Sequence, residues 1–168
     1  SYYHPMVDRY ERIEVLKGAS SLLFGPQTVG GIVNYVTPAP SREFGGFVQA
    51  IAGNRDYLNG KVQLAGKGVL FDYTRKQGDG ARDNMRHALD DFNLKYVASI
   101  GSNQALTLRG NYYQEDSTIT YTGLTQAEFD KLGARYNPFK NDKFDIKRTG
   151  LSATHEVDFG KGTTLLTN

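Results

Sequence analysis

Residues 91–100 read DFNLKYVASI, and the character of the side chain switches at nearly every step. Phe92, Leu94, Tyr96, Ala98 and Ile100 share one parity, and Asn93, Lys95, Val97 and Ser99 share the other. Successive side chains of an extended chain point to opposite faces, so this is a strand with one apolar and one wet face. The same period of two returns on both sides of it. Leu58, Val62 and Leu64 alternate with Asn59, Lys61 and Gln63, and Val69, Phe71 and Tyr73 with Leu70, Asp72 and Thr74. Leu106, Leu108 and Tyr112 alternate with Thr107, Arg109 and Asn111, and Leu151, Ala153 and Val157 with Ser152, Thr154, Glu156 and Asp158. The pattern predicts strands over 43–53, 58–66, 69–76, 91–100, 104–115, 144–159 and 163–168.

Five of these seven strands run to 9–16 residues, where ~5–6 is usual in globular proteins. About 9–11 tilted residues span a bilayer. GKG at 66–68, GSNQ at 101–104 and GKGT at 160–163 read as tight turns, whereas 77–90 and 116–143 are long polar connections. NRDY at 54–57 is short and breaks the contrast. Short turns at one end and long loops at the other mark an up-and-down barrel of the outer-membrane kind, and soluble meanders share the pattern. Tyr57, Tyr73, Phe92, Tyr112, Tyr113, Phe144 and Phe159 fall near the expected strand ends, where interfacial aromatic girdles sit.

Composition narrows the function classes. The chain has 168 residues, 39 % of them apolar, and a net charge of +2, which offers no large basic footprint for nucleic acid. Absence of cysteine excludes disulfides and thiolate metal sites, which fits the cytoplasm or an envelope protein that avoids thiols. No apolar run exceeds three residues, far from the ~20 of a membrane helix, a criterion blind to membrane strands. The chain opens without Met and without a basic start followed by an apolar core, and is expected to be a mature piece or a fragment.

Residues 1–40 differ from the rest. Ile13 and Val15 alternate with Arg12, Glu14 and Lys17, GIVNYVT at 31–37 is a second strand, and PAPSRE at 38–43 is a linker. Between the strands lies a glycine-rich stretch, LKGASSLLFGPQTVGG, at 16–31. It fails as a phosphate cradle: five positions after Gly25 comes Gly30, followed by Gly31 and Ile32 where a P-loop needs Lys and Ser or Thr. GDGARD at 78–83 has Asp83 where a dinucleotide fingerprint needs its third glycine. His155-Glu156 starts like a zinc-protease motif, but position 159 is Phe, and no GxSxG occurs. Nothing here points to catalysis, and no metal ligand set is expected.

The residues at 8–40, DRYERIEVLKGASSLLFGPQTVGGIVNYVTPAP, resemble the final part of the plug domain of TonB-dependent outer-membrane receptors. The likeness rests on ERIEVLKG, the SLLFG turn, and GGIVNYVT before a proline. FGPQTVGGIVNYVT, and the stretch from Thr120 to Glu156, are most similar to the ferric-citrate type. The resemblance implies an all-β fold, a transmembrane antiparallel barrel with an N-terminal plug. Residues 1–40 would be the end of the plug and 41–168 the first strands of the barrel, about seven of roughly 22.

What the resemblance implies about function is gated uptake rather than an enzyme. A ferric chelate, ferric citrate or a siderophore, would cross the outer membrane of a Gram-negative bacterium, driven by TonB with the ExbB/ExbD complex. No cofactor is expected, since iron arrives already chelated; the other partners would be the chelate and outer-membrane lipid, with no nucleic acid. Gln27 and Phe24 resemble ligand-facing residues of a plug apex, and Arg12 with Glu14 would face the barrel wall. An anionic chelate favours guanidinium groups, which hold carboxylates bidentately. Arg82, Arg86 and His87 in the first long loop, and Arg135 with Lys140 in the second, are the candidates. The alternatives are a receptor of the same kind for another cargo such as cobalamin, a non-transporting structural or adhesive outer-membrane β-protein, and a soluble β-domain that binds a partner.

Overall fold

The computed structural model describes residues 6–17 and 30–168. Gln27 and Phe24 lie outside the described residues. The chain divides into two compact units, Ser1–Ala39 and Pro40–Asn168.

In the first unit a 3-10 turn at Val7–Arg9 precedes β1 (Arg12–Leu16), which pairs antiparallel with β2 (Ile32–Val36). Glu14 stands opposite Asn34, and the Tyr10 and Tyr35 rings lie 4.8 Å apart.

The second unit is one antiparallel meander of seven strands among the described residues, in sequence order. They are β3 (Gly45–Ala52), β4 (Leu58–Gly66), β5 (Val69–Asp79), β6 (Arg86–Ile100), β7 (Gln104–Thr118), β8 (Lys143–Gly160) and β9 (Thr163–Thr167). A short helix, α1 (Gln126–Leu132), sits in the β7–β8 connection. Each strand pairs with the next, and β3 and β9 are the sheet's edges, so the barrel is partial and open.

The turns at one end are as tight as their sequences require. In GKG at 66–68, Lys67 has φ 50° and Gly68 φ 79°; in GKG at 160–162, Lys161 has φ 54° and Gly162 φ 77°. Positive φ at both central residues is the mirror-image turn whose twist matches that of antiparallel strands. Gly68 is further constrained, because a Cβ there would collide with the carbonyl oxygen of Val97.

At the other end the strands are longer than the alternation implies. β5 continues to Asp79, β6 begins at Arg86 and β7 runs to Thr118, so the connections shrink to 80–85 and 119–142. Arg86 and His87, expected on a loop, are therefore strand residues. The reason is physical: beyond the apolar belt the outer face turns polar too, Leu89 falls on the inner face, and the period-two signal vanishes although the ladder does not. The alternation gives no notice of α1 either. Its start is a capping box, with Thr125 and Glu128 satisfying each other's backbone N–H groups.

Packing runs opposite to that of a soluble domain. Thr74 and Asp91, cross-strand partners, are each only 1 % exposed, and Asp72 and Ser117 are buried on the same face. On the opposite face Leu94 is 52 % and Leu151 85 % exposed, and Val48, Leu64, Tyr96 and Leu108 are open as well. Apolar outside and polar inside, alternating along continuous strands, is the wall of a membrane barrel.

Candidate functional site

Strand register sorts the side chains into rows. On the apolar face Tyr73, Phe92 and Tyr112 stand in line across β5, β6 and β7, with ring separations of 4.3 and 6.4 Å. Tyr113, also expected among the girdle aromatics, has the opposite parity and turns to the polar face. There the Arg148 guanidinium lies 4.6 Å from its ring centroid and its hydroxyl donates to Glu115 at 2.5 Å. From Phe92 the apolar face runs down β6 to Ile100, eight residues or about 27 Å of strand. At the usual tilt this is ~20 Å of height, close to the ~25 Å lipid band of outer-membrane barrels. Above the aromatics comes a polar row in which Arg75 binds Asp90, with Gln114 and Lys147 beside them.

The polar face is a connected wall. Lys61 Nζ stands 3.1 Å from Asp72 Oδ2, and Gln63 donates to that oxygen at 2.8 Å. Asp72 Oδ1, Thr74 Oγ1 and Asn93 Nδ2 are buried with no hydrogen-bond partner among the described residues. Such atoms are ready to bond whatever group or water meets the wall.

At the long-loop end, 80–85 and 119–142 dock on each other. The Arg135 guanidinium meets Asp83 Oδ1 at 3.1 Å, and Asp83 N donates to the Arg135 carbonyl at 2.7 Å. Asn137, 2 % exposed, donates to the Asp83 carbonyl at 2.9 Å and accepts from Phe139 N at 3.0 Å. Arg82 donates to the Thr122 carbonyl at 3.0 Å.

These contacts shape a cleft of about 430 Å³, lined among others by Asp79, Arg82, Asp83, Arg86, Arg135 and Lys140. Arginines expected from two separate loops thus meet in one place, four cations against two carboxylates. His87 is not among them. It stands on the polar face opposite Gly78 and Ser117, its ring 6.5 Å from that of Tyr57. Arg86, one residue away, has the parity of Asp90 and Phe92 and belongs to the apolar side.

In the first unit Arg12 and Glu14 bond to each other. Arg12 Nε donates to Glu14 Oε1 at 2.7 Å, and Asn34 donates to Oε2 at 2.8 Å. These two donors hold the Glu14 carboxyl below its ordinary range, Arg12 contributing most.

Sequence reasoning misses Asp83 and Asn137. Asn137-Pro138 is a legible turn signal, whereas no local pattern reports that a buried amide will join two loops 54 residues apart.

Similarity to known proteins agrees with this geometry. Over 133 residues, 75 % of the chain, it is 39 % identical to the ferripyoverdine receptor of Pseudomonas aeruginosa, covering 16 % of that protein. Over 141 residues, 73 % of the chain, it is 28 % identical to the vitamin B12 transporter BtuB of Vibrio cholerae, covering 23 % of it. The chain belongs to the TonB-dependent receptors.

Two solved structures share the fold of this receptor chain. FpvA of P. aeruginosa bound to a heterologous ferric pyoverdine matches with a TM-score of 0.73 at 22 % identity, over 92 % of the chain and 22 % of that structure. The FpvAI–pyocin S2 complex matches with a TM-score of 0.71 at 21 % identity. No protein-family profile matches the chain. The chain spans less than a quarter of the length of these relatives.

Proposed function

We propose that the protein serves in uptake of a ferric chelate of the siderophore class across the outer membrane of a Gram-negative bacterium. The observation that carries this is the inverted sheet: buried Thr74 and Asp91 on one face, open Leu94 and Leu151 on the other, with the long loops gathered at one end. The similarity to a ferripyoverdine receptor supports the cargo class. Ferric citrate, to which the 24–37 stretch points, is the narrower form of the same proposal.

In this reading residues 1–40 are plug and 41–168 are wall. The cargo meets the plug apex at Gln27 and Phe24. On the wall, His87 is the candidate cargo contact, on the polar face at the loop end. Arg12 and Glu14, bonded to each other, are the charged pair of the plug. TonB with ExbB/ExbD supplies the energy, and the iron stays in its chelate. Similarity to the vitamin B12 transporter supports a second reading, in which the cargo is cobalamin.

The test is transport. A strain lacking its own siderophore and B12 receptors would express the receptor that carries this chain, with and without TonB. Accumulation of labelled iron from ferric pyoverdine or ferric citrate, only in the strain with TonB, is the expected result. Uptake of labelled cobalamin instead would move the assignment to the second reading. TonB-independent or absent uptake of all three would refute the proposal.

A further inference from the structure

The cleft between 80–85 and 119–142 holds more cationic charge than its internal pairs use. Arg135 is engaged by Asp83, and Arg82 reaches a backbone carbonyl. The side chains of Arg86 and Lys140 make no hydrogen bond or ion pair among the described residues, although both line the cleft. An anion is the natural complement.

Register fixes which side of the wall this anion comes from. Asp79, Arg86, Thr118 and Lys143 form one row across β5–β8, with the same parity as the aromatic row Tyr73–Phe92–Tyr112. The cleft therefore belongs to the face that carries the apolar belt, not to the lumen. We propose that it binds the phosphorylated saccharide headgroup of an outer-leaflet glycolipid. The proposal rests on the reading of the apolar face as the lipid face.

Height selects this headgroup over that of a phospholipid. Arg86 is six residues beyond Phe92, about 20 Å along the strand and ~15 Å along the membrane normal at the usual tilt. The interfacial layer is only ~5–8 Å deep on each side. A phospholipid phosphate at the aromatic level cannot reach the cleft, whereas a phosphorylated sugar chain can. Two rows lie between: the lower pairs Arg75 with Asp90 and carries Lys147, and the upper, Gln77, Ala88, Asp116 and Asp145, has carboxylates and no cation, so it separates the cleft from the cations at the interface. Lower still, the apolar face carries a hollow of about 290 Å³ beside Phe71, Leu94 and Gly110. Gly110, opposite Leu94 and Leu151, leaves space there for an acyl chain. Polar cleft above and apolar hollow below lie on the same strands, as one amphipathic lipid requires.

The experiment uses the purified receptor in detergent, with four probes: lipopolysaccharide with a phosphorylated inner core, the same material dephosphorylated in the core, phosphatidylglycerol, and inorganic phosphate. Binding to the first should exceed the other three. Each cation removed from the surface should weaken it about fivefold, and the triple change Arg82→Ala, Arg86→Ala, Lys140→Ala on the order of a hundredfold. Retained heat-modifiable mobility shows that the variant is folded; if it is not, Arg86→Gln and Lys140→Gln singly carry the same prediction. Equal binding of all lipids, binding unaffected by the changes, or full competition by millimolar phosphate would overturn the proposal. So would loss of chelate affinity with lipid binding retained, which gives the cleft to the cargo. A receptor that binds the glycolipid yet transports no chelate would leave this inference standing and refute the uptake reading alone.

Discussion

Asp83 and Arg135 join the two long loops of the wall twice over: the guanidinium meets Asp83 Oδ1 at 3.1 Å, and Asp83 N donates to the Arg135 carbonyl at 2.7 Å. Both side chains are more than half exposed, so the ion pair itself is worth only about 0–1 kcal/mol. Asn137 matters more, because it is buried and its loss strands the Asp83 carbonyl and the Phe139 N–H, at ~1–3 kcal/mol. Asn137→Ala should thus raise hydrogen exchange at Gly80, Asp83 and Phe139 well above the effect of Arg135→Ala, with the β6–β7 ladder unchanged. Equal effects of the two substitutions would contradict this ranking.

Gly68 and Gly101 both have positive φ, 79° and 66°. A Cβ at Gly101 meets nothing within 4 Å, while at Gly68 it collides with the Val97 carbonyl. Gly101→Ala should cost only the left-handed penalty, about 1–2 kcal/mol, and Gly68→Ala distinctly more. Urea midpoints of the folded receptor in vesicles would measure both, and a smaller loss at Gly68 would count against the turn geometry.

Leu151 and Ser152 are sequence neighbours on opposite faces of β8. Arginine at a lipid-facing midplane position costs about 2–4 kcal/mol, and far less at a lumen position. Leu151 stands one row below the aromatic row, so Leu151→Arg should incur part of that cost and lower folding yield into vesicles more than Ser152→Arg does.

Glu14 gives a pH dependence whose sign is fixed. Its folded pKa is lowered by Arg12 and then Asn34, so the contribution is full above the ordinary glutamate range and is lost as pH falls through the lowered value. Glu128 follows the same rule, held down by the Thr125 backbone N–H and hydroxyl at the start of α1. Carbon-13 NMR of labelled glutamate carboxyls should show both titrating below the exposed glutamates. Removal of Arg12 by Arg12→Ala should move Glu14 back up and leave Glu128 where it is.

What is legible in the sequence is the part of the wall where physics acts row by row. Phe92, Leu94 and Tyr96 alternate with Asn93 and Lys95 because one face meets an apolar medium, and the GKG turns at 66–68 and 160–162 carry their positive φ in their glycines. The signal stops at Arg75, Asp90 and Gln114, where the outer face turns polar, although the strands run on to Asp79, Arg86 and Thr118. Tyr113 reads with the girdle because nearness to a strand end does not tell parity; pairing with Arg148 does. The cleft is half legible. Its cations are visible as arginines, and their meeting depends on a contact between distant loops that leaves no periodic trace.

Lipid against the apolar face of β6–β8 underlies both the uptake proposal and the glycolipid site. Single nitroxide labels can be placed on cysteines introduced at Leu94, Leu108 and Leu151, and at Asn93, Arg109 and Ser152, in the receptor reconstituted in vesicles, with any cysteine outside this chain replaced. Collision rates with oxygen and with a water-soluble nickel complex then report the surroundings of each label. The expected result is alternation with period two: high oxygen and low nickel access at the first three sites, the reverse or burial at the second three. Water access at Leu94, Leu108 and Leu151, or no alternation along the strands, would contradict the account.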